Sequence, residues 1–211
     1  MELFANCHAL TEEKKASPDE DLMSILTRVE LDGERLSELE IDLFFMLLAV
    51  AGNETTRNLI SHGMLALLEH RDQYAALVED PSLIPGAVEE MLRWGSPVMH
   101  FRRTVTTDTD INGFPVKEGD KVVIWYIAAN RDETVFDHPE EFDIRRSPNP
   151  HVAFGGGGPH FCLGANLARL EINVMFQEVL RRLPNLQQTG PAARLRSNFI
   201  NGIKHLPVAV G

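Results

Sequence analysis

A cysteine at the end of a glycine run is the position in this chain best suited to chemistry. The segment reads Phe154-Gly155-Gly156-Gly157-Gly158-Pro159-His160-Phe161-Cys162-Leu163-Gly164 and leads directly into a helical pattern, Ala165 to Ile172. Four consecutive glycines cost backbone entropy and bring no packing. Such a loop is expected where dihedrals are unusual or where something approaches closely. A cysteine just ahead of a helix start lies near unpaired N–H groups and the positive end of the helix dipole, both of which favour thiolate over thiol. Thiolate is the form that ligates a metal. A phosphate cradle fits poorly, because no Lys-Ser/Thr follows and His-Phe-Cys stands where a P-loop needs its lysine. Phe154, Phe161 and Leu163 are odd companions for a solvated spacer. Zinc needs three or four ligands at recognisable spacing, and Cys7 lies far away in an Asn-Cys-His context. The loop therefore reads as a cofactor site built on a single thiolate.

Two further clusters carry chemical potential. Within Ala51-Gly52-Asn53-Glu54-Thr55-Thr56, Gly52 and Asn53 are weak helix formers. Gly52 costs about 1 kcal/mol relative to alanine in a helix interior. One reading is a helix that stops here and restarts with Asn53 as its cap. The other is a local opening, in which the small residue makes room for a ligand and the Thr55 hydroxyl turns towards the Ala51 carbonyl. Glu54 beside Thr55 sets an acid next to an alcohol, the minimum equipment for relaying protons into a buried site. Glu90 and Arg93 place opposite charges at i and i+3, a pair worth a few tenths of a kcal/mol when exposed. Their apolar neighbours Val88, Met91, Leu92 and Trp94 point to partial burial, where the guanidinium needs more partners. Arg146 can join the cluster through the same carboxylate.

The elements that must position these residues are mostly helical at first. Residues 18 to 30 read as a short amphipathic helix, and the segment from Leu31 to Leu36 as a turn. Ser37 caps a long helical pattern reaching about His70, with Glu40 completing a capping box. This helix is apolar nearly all round between Ile41 and Ala51, which suggests a path through the centre of the molecule. Residues 71–80 and 85–94 give two more helices, separated by the Pro81 and Pro85 breaks. Residues 103–111, 114–116 and 121–127 are β-rich, and Asn112-Gly113 is a two-residue hairpin signal. From Asn130 to Phe161 the chain is dominated by Pro, Asp, Asn and Gly, a length of irregular structure that is usually functional. Helix returns from about Gly164 to Leu183, and strand potential surrounds Asn201-Gly202.

The remaining properties bound the function. The chain has 211 residues, 44% of them hydrophobic, enough for one large domain or two small ones, with no boundary evident within it. A net charge of −11 argues against nucleic acid or an anionic membrane as the main partner. Two cysteines give no disulfide framework and point to a reducing cytoplasm. The first residues lack the pattern of a secretory signal. The longest apolar run, Leu43 to Ala51, is too short to span a bilayer.

Taken in order, the three clusters resemble the cytochrome P450 family of heme-thiolate monooxygenases. Ala51-Gly-Asn-Glu-Thr55 is similar to its oxygen-binding helix, Glu90-x-x-Arg93 with Arg146 to its structural Glu-Arg-Arg triad, and the segment from Phe154 to Gly164 to its heme-binding loop. The resemblance covers essentially the whole chain. It implies a mainly α fold with small β-sheets, of which this chain is the C-terminal half, as part of a single domain. It implies heme b with Cys162 as axial ligand, and Phe154, Gly155, Gly164, Ala51 and Gly52 on the cofactor side. It implies proton delivery by Glu54 and Thr55, and propionate contacts from Arg103 and His160. A thiolate donates electron density that favours O–O cleavage. Dioxygen, a hydrophobic small molecule and a ferredoxin-type electron donor are the implied partners. Pocket walls are implied at Met46, Val50, Val98, Met99, His100, Phe199 and Ile200, each of which also suits plain core packing.

The chain departs from the family pattern in two respects. Cys162 stands eight residues after Phe154 rather than the common seven. The longer loop, with Ala51 to Asn58 and Asn149 to Phe154, looks like a bacterial subgroup that hydroxylates sterols and methyl-branched lipids near their chain ends. The chain is also about half a family member, and the alternative reading is a truncated fragment or a heme-binding module without turnover.

Overall fold

The computed structural model describes residues 2–211. They form two compact units, Met1–Glu54 and Thr55–Gly211, and the longest helix contributes to both.

The first unit opens with α1 (Glu2–Ala16), which sequence periodicity does not announce because its apolar residues share no face. Only Cys7 and Thr11 of α1 are buried. The helix expected over residues 18 to 30 shrinks to α2 (Leu22–Leu26). Asp21 caps it, accepting the Ser24 N–H at 2.7 Å, and the chain then turns through a small hairpin of β1 (Glu30–Leu31) and β2 (Glu34–Arg35). α3 (Glu38–Glu69) starts with the expected capping box. The Ser37 hydroxyl accepts the Glu40 N–H at 3.3 Å, and the Glu40 carboxylate accepts the Ser37 N–H at 2.8 Å. Cys7, Met23, Leu26 and Ile41 form this unit's apolar cluster. Leu39, Leu43, Leu47 and Val50 do not: they are between 52% and 63% exposed. The expectation that this stretch runs through the centre of the molecule is therefore corrected. A helix apolar all round declares what it can bury, not what is packed on it.

The second unit holds the main core. The C-terminal part of α3, α4 (Arg71–Glu79), α5 (Ile84–Gly95) and α7 (Ala165–Arg182) pack through Leu59, Leu67, Tyr74, Leu77, Met91, Leu92, Ile172 and Phe176. A 3₁₀ turn, Pro81–Leu83, joins α4 to α5, as the two prolines suggest. At Gly63 a Cβ would stand 2.6 Å from Met91 Sδ, so glycine permits this close approach of α3 and α5.

The strands come in pairs, all antiparallel. β3 (His100–Thr104) pairs with β6 (Lys121–Trp125), with Arg103 opposite Val122. β4 (Thr109–Ile111) and β5 (Phe114–Val116) make the hairpin expected at Asn112-Gly113, whose φ values of 51° and 85° are those of a primed turn. α6 (Tyr126–Ala129) follows β6 where the strand was expected to continue. Residues 130–164 contain no helix or strand. After α7 come β7 (Gln187–Gln188), β8 (Ala193–Arg194), β9 (Ile203–His205) and β10 (Val208–Ala209), pairing β8 with β9 and β7 with β10.

Candidate functional site

The irregular segment before the glycine loop is held by a buried charge cluster. Glu90 and Arg93 have fully buried side chains, and Arg146 is 9% exposed. The Arg93 guanidinium forks onto Glu90, with Nη2 to Oε1 at 2.7 Å and Nε to Oε2 at 2.8 Å. Its remaining donors reach the carbonyls of Asn130, Pro139 and Glu141. Arg146 Nε donates to Glu90 Oε2 at 3.1 Å, and its other nitrogens reach the Asp137, His138 and Glu141 carbonyls. A buried guanidinium needs this many acceptors, and here loop carbonyls supply them. The three residues singled out in the sequence thus come together, and their work is to fold residues 130–146 around two guanidinium groups.

Two asparagines that sequence reasoning missed extend the cluster towards the loop. Asn149 Nδ2 donates to Glu90 Oε2 at 3.0 Å. Asn130, fully buried, accepts the Val152 N–H at 2.8 Å and donates to the Ser96 hydroxyl at 2.8 Å. The signal available was an Asn-rich approach to the loop, without any indication of partner.

The loop itself is a chain of tight turns. The Gly155 N–H donates to the Val152 carbonyl, Phe161 N–H to Gly158, and Cys162 N–H to Phe154 at 3.0 Å. Gly155, Gly157 and Gly158 have φ of 94°, 99° and 76°, values that favour glycine. The Cys162 carbonyl accepts the Ala165 N–H at 3.2 Å, so the cysteine lies at the threshold of α7 as expected. Cys162 is exposed, whereas Cys7 is buried and its thiol is pushed up to about 11 by burial and by a hydrogen bond with Asp42. Of the two cysteines, Cys162 is the accessible one.

Neighbouring Glu89 was also missed. It accepts from Arg169 of α7 at 2.7 and 2.9 Å and from His151 Nε2 at 3.0 Å. Burial would raise its carboxyl, but the hydrogen bonds from His151 and Arg169 outweigh that and hold it at about 2.

The expected pocket residues of this unit also meet. Val98 bridges Ile200, and the Met99 N–H donates to the Phe199 carbonyl at 2.9 Å. The His100 ring lies 5.8 Å from Phe199 and 4.6 Å from Trp125, and its buried Nδ1 has no hydrogen-bond partner among the described residues. His62 of α3 fastens this wall: Nε2 bonds the Asn201 carbonyl at 3.0 Å, while Asn201 Nδ2 donates to the Gly95 carbonyl. Arg103 and His160 are exposed. In the first unit Met46 is half-buried and Val50 exposed. α3 runs unbroken through Ala51, Gly52, Glu54 and Thr55, so Asn53 is not a cap and the stop-and-restart reading falls.

Comparison with known proteins agrees with this geometry. The profile of the Cytochrome P450 family matches residues 2–201, and the chain belongs to that family. It is 53% identical over 208 residues to the methyl-branched lipid omega-hydroxylase of Mycobacterium tuberculosis, covering 98% of this chain and 49% of that protein. It is 46% identical to the steroid C26-monooxygenase of Rhodococcus jostii, covering 99% of this chain and 44% of that protein. The structure of CYP109E1 from Bacillus megaterium in complex with testosterone superposes with a TM-score of 0.95 at 39% identity, over 99% of this chain and 58% of that one. The chain thus spans about half the length of the curated relatives it matches.

The residues present suit the heme-thiolate cofactor of the family. Among the described residues no three His, Cys, Asp or Glu side chains gather as a metal site. A metal held by Cys162 must therefore bring its other ligands with it, as iron does in a porphyrin. In and just after the glycine loop, Gly156, Gly157, Gly158 and Gly164 have nothing among the described residues within 4 Å of where a Cβ would stand. Phe161 and Leu163 are 47% and 77% exposed. Open glycine positions and exposed apolar side chains suit contact with a flat apolar ring. Among the described residues no helix is long and apolar enough to cross a membrane.

Proposed function

We propose that this chain is the C-terminal part of a single cytochrome P450 domain that hydroxylates a sterol or methyl-branched lipid. The carrying observation is one exposed thiol, Cys162, at the end of a glycine loop anchored by buried charge. The substrate class is supported by two relatives, one acting on methyl-branched lipids and one on steroids. Electrons come from a ferredoxin-type donor, and both cysteines are free, which suits a reducing cytoplasm.

Heme, when bound, supplies the reductive activation of dioxygen and the insertion of one oxygen atom into a C–H bond. Cys162 Sγ would hold the iron as a thiolate, and Phe154, Gly155, Gly164 and His160 would shape the loop around it. Arg103 offers a cation to the carboxylates of the porphyrin. Ala51 and Gly52 leave space beside α3 for a small ligand. The Glu54 carboxyl takes protons from solvent and passes them to Thr55 Oγ1, which holds one at the reacting centre. Val98, Met99, Phe199 and Ile200 present apolar surface to the substrate beside the His100 ring, and within the first unit Met46 and Val50 are candidate substrate contacts.

The test is coupling. Thr55→Ala is expected to leave heme binding intact and to divert reducing equivalents to peroxide, measured as peroxide formed per reductant consumed. Unchanged coupling refutes the role of Thr55.

A further inference from the structure

Glu89 and Glu90 are adjacent on α5 but hold different parts of the loop. Glu90 gathers the segment that precedes it. Glu89 ties the loop's entry to the helix at its exit. At the entry, His151 Nδ1 accepts the Ala153 N–H at 3.2 Å while Nε2 donates to Glu89 Oε2 at 3.0 Å. The ring thus ties the loop backbone to Glu89 through its two nitrogens. At the exit, Arg169 in the second turn of α7 forks onto Glu89, with Nε to Oε1 at 2.7 Å and Nη2 to Oε2 at 2.9 Å. Its guanidinium also lies 4.6 Å from the centroid of the Phe154 ring. The Phe154 carbonyl in turn accepts the Cys162 N–H. The Arg169 pKa is raised chiefly by the hydrogen bond to Glu89, and the Cys162 sulfur adds to that rise.

We propose that Glu89, His151 and Arg169 are positioning residues for Cys162, clamping both ends of the glycine loop onto α5. The clamp is argued from this geometry; that the residue it positions is the heme ligand rests on the function proposed above.

Amide exchange decides it. In the heme-free chain, amide exchange at Ala153 and Cys162 is expected to quicken about tenfold in Glu89→Gln, Arg169→Ala and Arg169→Lys, the effect of losing one hydrogen bond's stabilisation, with the core amides of α5 and α7 unchanged. Loop exchange that stays unchanged, or quickens only together with the core, overturns the clamp. If the unsubstituted protein shows no thiolate-type Soret band, the reading of Cys162 fails, while the exchange experiment still decides the clamp.

Discussion

Around Glu90 the side chains are enclosed and answered, whereas around Cys162 they are open to solvent. Glu90 and Arg93 have no exposed side-chain surface, and between them they engage Asn130, Pro139, Glu141, Asp143, Arg146 and Asn149. Cys162, Phe161 and Leu163 are exposed, and Gly156, Gly157, Gly158 and Gly164 have nothing among the described residues within 4 Å of where a side chain would start. The two regions are joined by a few residues of loop. The difference teaches a division of labour: rigidity is built from buried charge on one side, so that the other side can remain unfilled and still be placed.

Disturbing the buried side should have the largest effect. Glu90→Gln removes the charge that answers Arg93 and Arg146 and turns an amide N–H₂ towards donors, at an expected cost of about 3–5 kcal/mol in denaturant unfolding. A loss below about 1 kcal/mol would mean that the cluster does not anchor the loop.

The next effect is one of pH. Burial, with Arg194 nearby, lowers the His62 pKa from 6.5 to about 4 against the opposing hydrogen bond to Asn201. The unfolded chain therefore binds this proton first. The stability contributed by neutral His62 is full above about pH 6.5, falls as pH drops towards 4, and totals about 3 kcal/mol. His62→Gln keeps a donor for the Asn201 carbonyl and should flatten that slope, read from urea unfolding at pH 7 and pH 4.5. An unchanged slope would remove His62 as its source.

On the open side the expected costs are smaller. Gly157→Ala meets no neighbouring atom, so only the φ of 99° penalises it, by about 1–2 kcal/mol in the same unfolding assay. Cys162→Ala removes an exposed thiol and should change stability by no more than about 0.5 kcal/mol. A larger loss at Cys162 than at Glu90 would invert the comparison.

How much of this was legible in the sequence follows from range. The capping box at Ser37, the hairpin at Asn112-Gly113 and the pairing of Glu90 with Arg93 are local, and sequence shows them directly. The place of Arg146 was offered only as a candidate partner for the same carboxylate, because it reaches Glu90 from 56 residues away. Glu89, His151 and Arg169 stayed hidden for the same reason: their contacts span 62 and 80 residues, and no short motif marks them. Two-residue strands such as Gln187–Gln188 carry too little pattern to be seen. The apolar stretch of α3 misled in the other direction, since composition announced burial that this chain does not supply at Leu43, Leu47 and Val50.

The central claim, that a rigidly anchored but open loop presents Cys162 as a metal-binding thiolate, is tested most directly by the Soret spectrum of the reduced carbon monoxide complex of the heme-loaded protein. The account predicts a thiolate-type band that is abolished in Cys162→Ala while the unfolding midpoint of the heme-free chain stays in place. A thiolate-type band that persists in Cys162→Ala, or none in the unsubstituted protein, would contradict it.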